Sequence, residues 1–284
     1  RPVVTTFTAT GANQTYVVPL TTNRVRIACV GGGGGRLDTY QVGGTGHGVL
    51  DAVVTVTPGA TLTVQVGQSG NNGGWPDAGI GPVAPPPQIT SSGARGGGSS
   101  RVWLGGVGGT LLIVGGGGGG VGQVASNRGK GGNAGFVAQS GWSPNQASNA
   151  FGYGGGGGTQ SAGGAAGGVY FPHVTAPTAG SSLLGGNGGL RGPIFGYYYG
   201  GGSGGGGYFG GGGGSVRHDG FSGGGGGGSS WCPWTFTTTG IASNGGLLGS
   251  LPADGYVTID PLEPSFRGGL IIDQPIGVDG LYVS

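Results

Sequence analysis

The chain has 284 residues, of which 82 are glycine and 17 proline, together more than a third, a share that in an aperiodic chain is first read as disorder. Against that stand 35% hydrophobic residues, including 5 Trp, 10 Tyr and 9 Phe, and only 7% charged ones, the reverse of a disordered composition. The formal net charge of +2 excludes a broad electrostatic footprint for nucleic acid or an anionic membrane surface, and no apolar run approaches the ~20 residues that span a bilayer.

Lys130 is the only lysine and Glu263 the only glutamate, so the inventory for helices is poor. In chain order the first third instead alternates as strands do: "VVTTFTAT", "QTYVVPL", "RVRIACV", "VLDAVVTVT" and "ATLTVQV" are β-branched and aromatic, separated by "TGAN", "TTN" and "TPGA" with turn chemistry. These five runs predict one half of a β-sandwich. "SRVWL" and "TLLIV" follow, and the pattern resumes late in the chain with "WTFTTTG" and "DGYVTID". The expected class is all-β, with a sandwich built from about 1–114 and 231–262 and almost no α-helix. Flanks that must meet to complete one sandwich bring together the ends of everything between them, so the glycine-rich middle is read as an excursion from a single domain.

That middle, about 115–230, holds glycine runs at 115–120, 154–158, 200–207 (with Ser203 inside), 210–214 and 223–228, and shorter pieces at 163–168 and 185–189. No Gly-X-Y period is present, which excludes collagen. Uninterrupted glycine can form a left-handed helix of the polyproline-II type, with three residues per turn and all amides directed outwards. Several such helices side by side can satisfy one another's amides, because without side chains their backbones approach closely. At about 0.5–1.5 kcal/mol per hydrogen bond, that packing is the term able to offset glycine's large conformational entropy. The prediction is therefore a bundle of polyglycine-II helices rather than a spacer.

The order "TFTATGANQTYVVPLTTNRVRIACVGGGGG", "GVLDAVVTVTPGATLTVQVGQSG", "TLLIVGGGGGG", "SVRHDGFSGGGGGGSSW", "DGYVTID" resembles the glycine-rich domain of the anaplastic lymphoma and leukocyte kinase receptor ectodomains and of related bacterial and viral surface proteins, over about residues 5–260. The resemblance implies a jelly-roll-like sandwich carrying hexagonally packed polyglycine helices. The bundle alone is also similar to phage tail-fibre tip adhesins, in which the loops joining the helices bind the host receptor. The quoted segments include neither a kinase nor a fibre-attachment region, so signalling is not carried over.

Chemistry needs convergent titratable groups, and His47, His173 and His218 are scattered. "RHDG" sets His218 beside Asp219, a candidate ligand site whose plainer reading is a polar turn between two glycine helices. "NRGKGG" lacks the Ser or Thr that a phosphate loop places after its lysine. Neither enzymatic activity, cofactor nor metal is expected. Cys29 ends a strand before the first glycines and Cys232 follows the last run, so both are expected at the junction of sandwich and bundle. A disulfide between them is predicted, with two buried thiols as the alternative. Asn13 in "NQT" is the glycosylation sequon, or simply a turn residue.

The stretches between glycine runs are the candidate partner-binding loops: Trp142, Phe151 and Tyr153; Tyr170, Phe171 and His173; Phe195 with Tyr197, Tyr198 and Tyr199. Aromatics on a rigid frame suit a cell-surface protein or glycan; equally, they could cover the ends of a bundle that has no side chains of its own. Residues 263–284 follow the closing strand, and Leu270, Ile271, Ile272 and Leu281, Tyr282, Val283 form two apolar pieces. This tail could add a strand to the next subunit or fold back on its own domain. The expectation is an extracellular, cell-surface or particle-surface structural protein that assembles into a homo-oligomer or polymer, without membrane insertion or nucleic-acid binding. The alternative is a receptor-binding adhesin using the aromatic loops.

Overall fold

The computed structural model describes residues 3–37, 42–83, 90–91, 93–123, 129–143, 153–169, 172–194, 197–236, 238–243 and 252–263. Two antiparallel sheets face each other. One contains β1 (Thr5–Thr8), β3 (Arg24–Val30), β4 (Gly46–Thr55), β11 (Thr238–Ser243) and β12 (Tyr256–Pro261) in the order β1-β12-β3-β4-β11. The other contains β2 (Gln14–Val17), β5 (Thr61–Gln65), β7 (Ser100–Leu104) and β8 (Thr110–Gly115) in the order β2-β5-β7-β8. The early runs thus do not make one half of the sandwich: β1, β3 and β4 lie in one sheet, β2 and β5 in the other.

Alternation decides what is buried. On β3, Val25, Ile27 and Cys29 are fully enclosed while Arg26 faces outwards, between Asp51 on β4 (4.0 Å) and Asp260 on β12 (3.8 Å). Val25, Ile27, Val257 and Ile259 meet Leu62, Val64, Val102 and Ile113 in one core. The β3–β4 register shifts between Ile27 and Cys29, opposite Asp51, whose φ of 58° is a left-handed conformation that Asp tolerates better than most residues. Among the described residues no helix is long and apolar enough to cross a membrane.

Beyond the sandwich, the glycine runs form a hydrogen-bonded bundle with a three-residue repeat. In the run continuing from β8, Gly117 and Gly120 donate to Gly206 and Ser203, Gly118 and Val121 to Gly32 and Gly35, and Gly119 and Gly122 to Gly132 and Gly129, at 2.8–3.2 Å. The carbonyls repeat the pattern: those of Gly117 and Gly120 accept from Gly228 and Gly225, those of Gly118 and Val121 from Gly97 and Ala94, and those of Gly116 and Gly119 from His47 and Gly44. Each third residue returns to the same neighbour, and the run has six neighbours, the signature of a three-residue-per-turn helix in hexagonal packing. The run through Gly210 to Ser215 is surrounded in the same way, by segments around 178–181, 202–205, 153–156, 164–167, 186–189 and 223–226.

The reason these positions are glycine is space, not backbone conformation. A Cβ on Gly119 would lie 2.0 Å from the Gly225 carbonyl oxygen, and one on Gly225 2.0 Å from that of Ser203. Yet neither has the positive φ that L-residues avoid; among the described glycines that conformation occurs outside the long glycine runs, at positions such as Gly59 and Gly105. The bundle also begins earlier than about 115. Residues 31–36 continue from β3, and segments near 42–47 and 93–99 bond into the same array, all from the part of the chain read as sandwich.

Candidate functional site

The bundle has two ends. At the sandwich end, Trp231 exchanges backbone hydrogen bonds with Val114 at 2.9 Å, and Tyr208 stacks on its ring at 5.0 Å with Phe209 edge-on to Tyr208 at 5.2 Å. The "YF" turn between two glycine helices is therefore a lid over the bundle's inner end. Beside it, His47 Nδ1 lies 2.8 Å from Ser230 Oγ, which accepts the Gly116 N–H at 2.9 Å. The His47 ring is edge-on to Phe136 at 5.6 Å, and burial lowers its pKa below the ordinary 6.5.

Cys29 and Cys232 do come to this junction, both against the sandwich core, but as free thiols and not the predicted disulfide, and only Cys29 of the two is buried. Cys29 points inward from β3, and burial pushes its pKa up to about 12, with a smaller rise from Cys232. Cys232 is half-buried and directs its Sγ towards the Trp234 carbonyl at 3.6 Å.

At the outer end the structure brings together Tyr153, His173, Tyr199 and the turn carrying His218. Tyr153 is only 5% exposed, and its carbonyl accepts the Ser215 N–H at 2.7 Å. His173 Nε2 accepts the Val216 N–H at 3.1 Å. Arg217 and Phe221 close a tight turn at 2.7 Å, within which Arg217 pairs with Asp219 and lies 5.0 Å over the Phe221 ring. Burial alone would raise the Asp219 pKa, but the hydrogen bond and charge of Arg217 outweigh it and the carboxyl ends below its ordinary range. Gly220 sits against the Tyr199 ring.

Tyr197, Tyr198 and Tyr199 are on a strand rather than a loop. β9 (Leu190–Ile194) and β10 (Tyr197–Gly200) form an antiparallel pair, and β6 (Thr90–Ser91) adds in parallel to β10 in a three-stranded sheet that the sequence pattern does not announce. Tyr153 and His173 thus act as covers of the bundle, whereas Trp142 (37% exposed) and Tyr197 (45% exposed) face outwards. Phe151, Tyr170, Phe171 and Phe195 lie outside the described residues, as do Leu270, Ile271, Ile272, Leu281, Tyr282 and Val283 of the tail.

A surface not singled out from the sequence lies at the edge of the five-stranded sheet. Among the described residues β1 pairs only with β12 and has no strand on its other side, and Val3 and Val4 just before it are 80% and 50% exposed. The signal was the apolar "PVV" ahead of the first strand. Among the described residues no group of three His, Cys, Asp or Glu could hold a metal. Compared with protein-family models and with curated proteins, the sequence matches none.

Proposed function

We propose that this is a non-enzymatic extracellular structural protein, a self-assembling subunit of a surface filament, fibre or virion surface. The observation that carries the reading is the outer edge of β1, which no described strand covers, and its relation to the end of β12. Thr5 pairs antiparallel with Ile259, so β12 finishes at Pro261 on the side of the sheet where Val3 and Val4 are exposed. An edge with apolar side chains is a template for another strand. Residues 263–284 of one subunit then pair along β1 of the next, a head-to-tail contact that grows a filament when the rotation does not close. The glycine bundle supplies stiffness, since each interior run is bonded on all sides and leaves no slack backbone for proteolysis.

Electron microscopy of the purified protein tests this: ordered polymers that disappear on deletion of 263–284 support it, and unchanged assembly without that segment overturns it. The outward rings of Trp142 and Tyr197 favour a second reading, a receptor-binding adhesin or ligand-binding module at the outer end of the bundle. Monomers or small oligomers that bind cells, and lose binding with Trp142→Ala and Tyr197→Ala together, would select that reading.

A further inference from the structure

A cleft of about 380 Å³ opens where two glycine segments reach the outer end of the bundle, lined by Arg36, Asn71, Arg95, Leu37 and Ala94 among others. Its placement follows from connectivity. Residues 31–36 leave the sandwich at the end of β3 and finish at Arg36, while 93–99 run the other way into β7, so Gly93 to Arg95 start at the same end.

Arg36 is the unusual residue. It is only 8% exposed, and its Nη1 is buried without a hydrogen-bond partner. A buried guanidinium N–H left unbonded is costly, and charged donors more so. Asn71 holds the Arg36 backbone from both sides, its Oδ1 accepting the Arg36 N–H at 2.8 Å and its Nδ2 donating to the Arg36 carbonyl at 3.2 Å. The second cation, Arg95, is exposed and donates from Nη1 to the Gly73 carbonyl at 3.2 Å. Two of the described lining residues are cationic and none is acidic.

The geometry points to a binding site for the oxyanion of a small acidic saccharide, a carboxylate or a sulfate. Planar guanidinium groups bind both oxyanions through paired, charge-assisted hydrogen bonds. An oxyanion in the cleft would give the orphaned Nη1 its acceptor, and Asn71 pre-organises Arg36 so that little ordering is left for binding. The volume lies at the small end of the ~300–1,000 Å³ range of ligand sites, which fits one sugar ring better than an extended chain. The site goes beyond the assembly reading and does not depend on whether the chain polymerises.

The test is titration of the whole protein with glucuronate, glucose 6-sulfate and glucose, followed by calorimetry or amide chemical shifts. The expected result is saturable binding of at least one acid with Kd below about 10 mM and none of glucose. Arg36→Met and Arg95→Gln should each weaken it by about 10- to 100-fold, the loss of a hydrogen bond to a charged group. Arg95 is exposed, so its variant keeps the test readable if Arg36→Met does not fold. Whichever acid binds more tightly identifies the oxyanion. Failure of both acids to bind, equal binding of glucose, or unchanged affinity in Arg95→Gln would overturn the inference.

Discussion

The carboxylate of Asp77 and the guanidinium of Arg101 form a buried ion pair that ties the sandwich to the glycine bundle. Arg101 is on β7, and both side chains are almost fully enclosed, at 6% and 4% exposure for Arg101 and Asp77. Ser99 donates to Asp77 from its N–H at 2.8 Å and from its hydroxyl at 2.9 Å, while Arg101 also donates to the Leu183 carbonyl at 2.9 Å. Asp77 in turn occupies the space that a side chain on Gly206 would need, with its Oδ1 2.1 Å from the position of a Cβ there. Removing one partner strands the other charge in the interior. Asp77→Ala should cost about 3–5 kcal/mol, and Asp77→Ala with Arg101→Met together clearly less than the sum of the two single changes. Denaturant unfolding of the three variants measures the coupling; strict additivity would mean that the pair contributes nothing.

Close approach of backbones makes a second prediction. Gly119→Ala puts a methyl group within 2.0 Å of a peptide oxygen in the middle of the hexagonal array, where every neighbour is itself backbone and cannot rotate away. Overpacking of this kind should destabilise by about 3 kcal/mol or more. Gly106, in the β7–β8 hairpin, has open space within 4 Å of where an alanine methyl would stand and no positive φ, so Gly106→Ala should change stability by less than about 1 kcal/mol. Equal thermal midpoints for the two variants would contradict the packing account.

The strands and the glycine helices were legible in the sequence for different reasons. β3 and β7 coincide with "RVRIACV" and "SRVWL" because alternation is a local property, and the long glycine runs stand out because nothing else uses six glycines in succession. The division of the early strands between two sheets was hidden, since partner choice depends on where the chain crosses rather than on any one run. The contributions near 42–47 and 93–99 to the bundle were hidden too: their uninterrupted glycine runs are short, and only the three-residue bonding to Gly44 and Gly97 reveals them. Asp77 and Arg101 are both ordinary polar residues in the sequence, and their meeting is a product of the packed fold. Of the aromatic candidates, type alone could not tell the covering Tyr153 from the outward Tyr197; burial does.

Protonation of His47 gives a pH dependence of known sign. Its pKa is lowered by burial, so between the unfolded value near 6.5 and the lower folded value the unfolded chain binds more protons than the native one. Stability contributed by the neutral ring is complete above the unfolded pKa and is lost as pH falls through that window. His47→Asn keeps a hydrogen-bonding group near Ser230 Oγ but removes the titration. Thermal midpoints measured from about pH 7.5 down to about pH 5 should fall more steeply for the native sequence than for the variant. Because His173 and His218 are present in both proteins, the difference isolates His47; parallel curves would assign the pH dependence elsewhere.

The two thiols differ in access and should react in order. Cys29 is fully enclosed on β3 with its pKa pushed up to about 12, so at neutral pH it carries almost no thiolate, the form that attacks an alkylating reagent. Cys232 is half-buried and its pKa is raised as well, by desolvation first, so it too should react more slowly than a free cysteine. Iodoacetamide at neutral pH should therefore label Cys232 slowly and Cys29 not at all while the protein is folded. In denaturant without reductant, both should gain a carbamidomethyl group, because neither is tied up in a bridge. Mass spectrometry of the two digests distinguishes these outcomes: labelling of Cys29 in the folded state would mean that β3 opens locally, and a linked Cys29–Cys232 peptide would restore the disulfide that the free thiols argue against.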